Sequence, residues 1–355
     1  DGMQYYNSDT TVTAGDRTVA VSTVTDNGAS NSTSGGINVT STVTVVTSNA
    51  TLIVTSGSDT SDDATTGANL AADQADGDGL SLREAIYWAN QTAGLDTIKL
   101  ATNVILSNDL ATQAWSLTGS LLFDGGNFIV DGGGYGGFVS DTNNLHFVFQ
   151  NARFTNFSDA GANNYATSVI GIYGRNHSLS IHNSEFYANT AGYSAIAIVQ
   201  SGAQTGGDVA SVSLFSVDTS KFHDNTTTNQ AYNTPIVLYV VAGGGAINVS
   251  KIYASITNTA IYDNDGIDLG VYYFADNYGA VVSNIVNSTI AGNKTGIDGS
   301  TGANAIALDL TVRNSIVTGN STADIAGITP ATSASLIGSA VNFVNAGSGD
   351  YRLAS

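Results

Sequence analysis

The sequence predicts an all-β protein built as a parallel β-helix, a β-solenoid with one amphipathic helix capping its N-terminal end. Three observations carry that prediction. Short runs of Val, Ile and Thr broken by Gly, Asn and Ser extend along the 355 positions, a short motif recurs through the second half, and a single strong helix signal stands among them. Composition agrees: Gly supplies 40 residues, Pro only 2, and charged residues 11%, less than half the usual share. With 42% hydrophobic residues the chain has ample material for a core, which excludes wholesale disorder.

Residues 1–60 form an N-terminal strand segment. Val and Thr alternate there between breaks of Gly, Asn and Ser, as in "TVTAGDRTVAVSTVT" and "INVTSTVTVVTSNATLIVTSG". Residues 61–95 hold an acidic, small-residue loop and then the helix. Ser81 with Glu84 makes a capping box, Leu82, Ala85, Ile86 and Ala89 form one apolar stripe, and Asn90 and Gly94 supply stop signals. These signals predict a helix over 81–92. A stack of strands has raw ends, so this helix is expected to lie across the first coil as a lid. Arg83 is expected to pair with an acidic residue ahead of the helix or with a carbonyl of that coil.

The remainder, 96–355, reads as the β-helix proper. Its motif runs "NARFTNF" from Asn151, "NSEFYAN" from Asn183, "TSKFHDN" from Thr219, "NTAIYDN" from Asn258, "NSTIAGN" from Asn287 and "NSIVTGN" from Asn314. The closing Asn falls at 189, 225, 264, 293 and 320, giving intervals of 36, 39, 29 and 27; the first copy carries Phe157 there. Units rich in Gly, Asn and Thr exclude helical repeats. The shorter intervals are too tight for a four-stranded propeller blade of about 40 residues. One coil of three short strands per repeat fits them all. Equivalent residues then stack, so Phe154, Phe186, Phe222, Ile261, Ile290 and Val317 should fill the core. Asn189, Asn225, Asn264, Asn293 and Asn320 should form an amide ladder at a turn, a structural role in preference to a ligand-binding one.

Charge limits the partners. The chain carries 29 acidic against 10 basic residues, a net charge of −19, which repels phosphate backbones and excludes nucleic acid as a natural partner. The longest apolar run, "IVLYVVA" from Ile236, is too short for a membrane-spanning helix, so no membrane insertion is expected. There are no cysteines, hence no disulfide and no thiol chemistry. No charged start with a following apolar stretch opens the chain.

Sugar cleavage needs two carboxylates about 5–10 Å apart, one of them a proton donor. The candidates are Asp124 with Asp131, in "FDGGNFIVDGGG", and the group Asp263, Asp265 and Asp268, in "DNDGID". Asp before Gly favours tight turns for the first pair. The second group could hold calcium through oxygen ligands, although it lacks the full spacing of a calcium loop. No other cofactor is indicated. Of the four histidines, His146, His177, His182 and His223, the pair His177 and His182 sits five apart with no carboxylate fixed nearby by the sequence, no serine sits in a nucleophile elbow, and no Arg or Lys cluster marks an anionic-sugar groove. The 16 Tyr and 12 Phe are read mainly as packing.

One stretch carries a family resemblance. "DGDGLSLREAIYWANQTAGLDTIKL" resembles the segment opening many secreted bacterial right-handed parallel β-helix proteins, in which Gly-Asp-Gly leads into Ser-Leu-Arg-Glu-Ala-Ile, an Ala-Asn pair and Asp-Thr-Ile. Here these are Gly77 to Gly79, Ser81 to Ile86, Ala89 with Asn90, and Asp96 to Ile98. Leu80 stands where many members have Cys, so no thiol role transfers. The closing "SLIGSAVNFVNAGSGDYRLAS" resembles that family's last coil, which usually runs on further; the resemblance therefore implies a piece of a longer protein. It covers 76–355 and implies a right-handed coil, an extracellular or cell-surface location, and adhesin or matrix relatives with polysaccharide-active ones on the same fold. The expected function is a structural or adhesive β-solenoid, a surface protein or filament subunit without catalysis. Its expected partners are neighbouring subunits, by self-association through added strands, and carbohydrate. A glycoside hydrolase or lyase is the alternative; ice binding by Thr rows is weaker, because those rows are irregular.

Overall fold

The computed structural model describes residues 15–21, 39–45, 48–59, 70–74, 77–108, 116–158, 168–191, 195–201, 211–227, 236–242, 250–264, 267–273, 279–301, 307–338, 341–346 and 350–353. The chain divides into two units, Asp1–Asn49 and Ala50–Ser355. In the first, the strands Gly15–Val21 and Val39–Val45 form a two-stranded antiparallel ribbon, with Gly15 opposite Val45 and Val21 opposite Val39.

The second unit is a parallel β-helix. Among the described residues, three long parallel sheets of nine, seven and ten strands run along it, and within each sheet the neighbour of a strand is its equivalent one coil away. The ten-stranded sheet runs from Ser48–Val54 to Ala331–Ser333. The nine-stranded sheet, of short strands, runs from Val104–Ile105 to Leu336–Ile337. The third starts at Phe138–Ser140 and ends at Ala323–Ala326. Side chains alternate between core and solvent, as in Ser211–Asp218, so each coil contributes one layer to a continuous core.

The motif acquires a physical meaning position by position. Its first residue turns the corner from the ten-stranded to the nine-stranded sheet in the left-handed region: Asn151 at φ 52°, Asn183 at 45°, Thr219 at 51°, Asn258 at 51°, Asn287 at 52° and Asn314 at 46°. Asn tolerates that region better than other side chains with a Cβ. The second residue is small because it is buried and must stay hydrogen-bonded. The hydroxyls of Ser184, Ser220, Thr259, Ser288 and Ser315 each donate to the carbonyl two residues back. Several also accept the backbone N–H of the coil before, Ser184 N to Ser220 Oγ at 3.2 Å being one. The apolar position is the core column. Phe154, Phe186, Phe222, Ile261, Ile290 and Val317 are in register, and all are fully buried. The rings of Phe154, Phe186 and Phe222 stack at 4.7 and 4.9 Å.

The closing Asn residues link coil to coil. Asn189 Nδ2 donates to Asn225 Oδ1 at 2.8 Å, Asn225 to Asn264 at 2.9 Å, Asn264 to Asn293 at 3.2 Å and Asn293 to Asn320 at 3.0 Å. The row ends on Asp324 Oδ1, 2.8 Å from Asn320 Nδ2.

At the other end the helix Leu82–Gln91 carries the expected capping box: Ser81 Oγ accepts from Glu84 N at 3.2 Å, and Glu84 Oε2 accepts from Ser81 N at 2.8 Å. Leu82, Ala85, Ile86 and Ala89 are buried in the core cluster with Ile98 and Leu100. Arg83 and Glu84 are buried as well, so the helix is enclosed on more than its apolar stripe. Arg83 forms a two-pronged ion pair with Asp59, at 2.9 and 2.6 Å, and donates to Asn108 O at 3.0 Å. Among the described residues, no helix is long and apolar enough to cross a membrane.

Candidate functional site

The outer face of the nine-stranded sheet concentrates the chain's polar chemistry. In each strand the residue before the core position and the residue after it point outward. The strands Arg153–Thr155, Glu185–Tyr187, Lys221–His223 and Ala260–Tyr262 therefore build two rows in register. The first is Arg153, Glu185, Lys221 and Ala260; the second is Thr155, Tyr187, His223 and Tyr262.

These rows are cross-linked. Arg153 Nε donates to Glu185 Oε2 at 2.8 Å, while His223 reaches Glu185 Oε1 through Nε2 at 3.2 Å and Asp224 Oδ2 through Nδ1 at 2.8 Å. Partial burial pushes the Glu185 carboxyl up, but the hydrogen bonds from Arg153 and His223 outweigh it and hold the group below its ordinary value. The same Glu185 bond raises Arg153.

The second row is a stack of rings. Tyr187 and His223 lie 5.6 Å apart, and His223 and Tyr262 4.9 Å apart at an interplanar angle of 1°. Arg153 covers the Tyr187 ring at 5.3 Å, and Tyr351 lies against Tyr262 at 5.1 Å. Tyr351 comes from the C-terminal pair of strands Phe343–Asn345 and Asp350–Leu353, where Phe343 meets it edge-on at 5.0 Å. Its hydroxyl donates to Asp263 Oδ1 at 2.6 Å, and burial followed by that carboxylate raises the phenol's pKa. Gly292, at φ 71°, makes the room: a Cβ there would sit 2.1 Å from Tyr351 Oη. With guanidinium and rings stacked on both sides, Tyr187, His223 and Tyr262 offer no free face to a sugar ring.

The sequence candidates take other places. Asp124 and Asp131 end successive strands and close separate turns: Asp124 Oδ1 accepts from Gly126 N at 3.1 Å, and Asp131 Oδ1 from Gly133 N at 2.8 Å. Each also accepts an amide of the next coil, from Asn151 and Asn156 respectively. Asp263 is exposed, turns a corner at φ 54° and is held by Tyr351. Asp265 lies outside the described residues, and for Asp268 only its backbone, in the strand Ile267–Tyr273, is described. Among the described residues, no three His, Asp or Glu side chains converge as a metal site would require.

His146 meets Ser178 Oγ at 2.8 Å on the surface. His182 is half-buried in register between Gln150 and Asp218. His177 is buried, and burial lowers its pKa to about 4 although the backbone of Tyr173 and Leu145 partly offsets it.

The register also aligns charged residues that lie far apart in the sequence. Arg153 and Lys221, two coils apart in one row, line an open depression of about 180 Å³ with Asn127, Asn183, Glu185 and Thr219. The signal was present: each of these charged residues immediately precedes a core Phe. No family model and no curated protein matches this chain.

Proposed function

We propose that the chain is a non-catalytic extracellular β-solenoid, an adhesive or filament-forming surface protein of the kind its Ser-Leu-Arg-Glu-Ala-Ile capping segment resembles. One observation carries this reading. The side chains on the nine-stranded face that resemble catalytic groups are spent on one another, with Glu185 held ionised by Arg153 and His223. A glycosidase acid needs the opposite, a carboxyl pushed up so that it keeps its proton near neutrality.

The polysaccharide-active alternative has one specific feature in its favour, the two carboxylates of Glu185 and Asp224 on either side of His223. Carboxyl NMR titration of Glu185 separates the readings. A midpoint below the ordinary glutamate value of about 4.3 fits the structural role, and one raised to about 6–7 would favour the enzyme.

Self-association through added strands belongs to the same proposal and rests on the ribbon Gly15–Val21 with Val39–Val45, because a lone two-stranded ribbon is marginal in water. A deletion of residues 1–47 removes the ribbon while sparing the strand Ser48–Val54 and the Arg83–Asp59 pair. The proposal expects it to abolish assembly measured by light scattering; unchanged assembly would refute that role.

A further inference from the structure

Between Asn151 and Asn314 the corner row of Asn residues is interrupted at Thr219, beside the depression that Lys221 lines. Elsewhere the outward amides join coil to coil. Asn183 Nδ2 donates to Asn151 Oδ1 at 2.9 Å, Asn287 to Asn258 at 3.3 Å and Asn314 to Asn287 at 2.7 Å. The next coil after Asn183 places Thr219 at the corner, and Thr219 donates its hydroxyl to Asp218 instead. Asn183 Oδ1 is consequently left as an exposed acceptor with no donor among the described residues. Thr219 also holds φ 51°, a left-handed conformation that is unfavourable for a β-branched residue and that the usual Asn would adopt easily.

Around this break the free groups are complementary to one kind of ligand. Lys221 is exposed and makes no ion pair or side-chain hydrogen bond among the described residues. Arg153 bonds Glu185 through Nε, which leaves its terminal nitrogens available. Arg153, Lys221 and Glu185 together carry one net positive charge, in a chain of net charge −19. The other lining groups are amides, hydroxyls and the small Ala152. No apolar pocket is present there to seat the anchoring side chain that peptide recognition relies on. The volume of about 180 Å³ is well above the roughly 10–15 Å³ that one water requires.

We infer that this depression binds a carboxylate-bearing saccharide, with one acidic group at Lys221 and Arg153 and a hydroxyl donating to Asn183 Oδ1. The inference rests on the adhesive reading above and supplies its ligand class. The chain's overall negative field favours a ligand with a single acid over a polyanion.

The test is calorimetric titration with a neutral oligosaccharide ending in one glucuronate residue, beside the same oligosaccharide with that carboxyl reduced to the alcohol. The acid form is expected to bind about ten-fold or more tightly than the alcohol, as for a charge-assisted hydrogen bond. Lys221→Ala should erase that difference. Thr219→Asn should complete the amide row, occupy Asn183 Oδ1 and weaken binding while leaving the fold intact by circular dichroism. Equal binding of both forms, undiminished binding by Lys221→Ala, or no binding at all would overturn the site. Equally tight binding of a short peptide with a free C-terminal carboxylate would overturn the saccharide assignment. Cleavage of the bound oligosaccharide would leave the site standing and overturn the non-catalytic reading instead.

Discussion

Asn225 shows what a single buried amide does in this stack. Its Oδ1 accepts from Asn189 Nδ2, and its Nδ2 donates both to Asn264 Oδ1 and to Phe186 O. Asn225→Ala orphans groups on both neighbouring coils, each costing about 1–3 kcal/mol when buried. Urea denaturation should show a loss of at least that size. His177 makes the stability pH-dependent. An unfolded histidine binds its proton near pH 6.5, whereas the folded one does so only near 4. Between those values the unfolded chain carries more protons, so stability falls as pH drops through this window, by at most about 3 kcal/mol, and this contribution levels off below it. Melting curves of His177→Leu should lack that slope between pH 6.5 and 4.

Among the elements, the capping helix was the most legible, because every signal for it is local: Ser81 and Glu84 sit three residues apart and the stripe repeats within one helix. What its sequence concealed is that Arg83 would be buried, since its partner Asp59 lies 24 residues upstream. Removing one member of such a pair leaves a buried charge. Arg83→Ala should therefore destabilise the protein by about 3–5 kcal/mol, against about 1 kcal/mol for Ser81→Ala at the cap. Equal losses in chemical denaturation would contradict the distinction. The core column was equally legible, because the same type of residue recurs at a fixed place in each motif. The outward rows were not. Arg153, Glu185 and Lys221 share no chemistry, and only the register of strands 32 and 36 residues apart aligns them. Tyr351, 88 residues beyond Asp263, leaves no local trace of its docking.

At the scale of the whole molecule, stability and function draw on the same geometry. Each coil contacts chiefly its neighbours, so like residues stack into columns that satisfy one another: rings on rings, amides on amides, carboxylates on guanidinium and imidazole. A face built this way has few groups to spare for bond-breaking. The break in the corner row at Thr219 leaves groups suited to holding a ligand. The measurement that tests a non-catalytic solenoid most directly is the release of new reducing or unsaturated ends from a panel of neutral and acidic polysaccharides incubated with the protein. No release above the buffer control is expected on any substrate. Release that persists in pure protein and disappears in Glu185→Gln would contradict the non-catalytic reading.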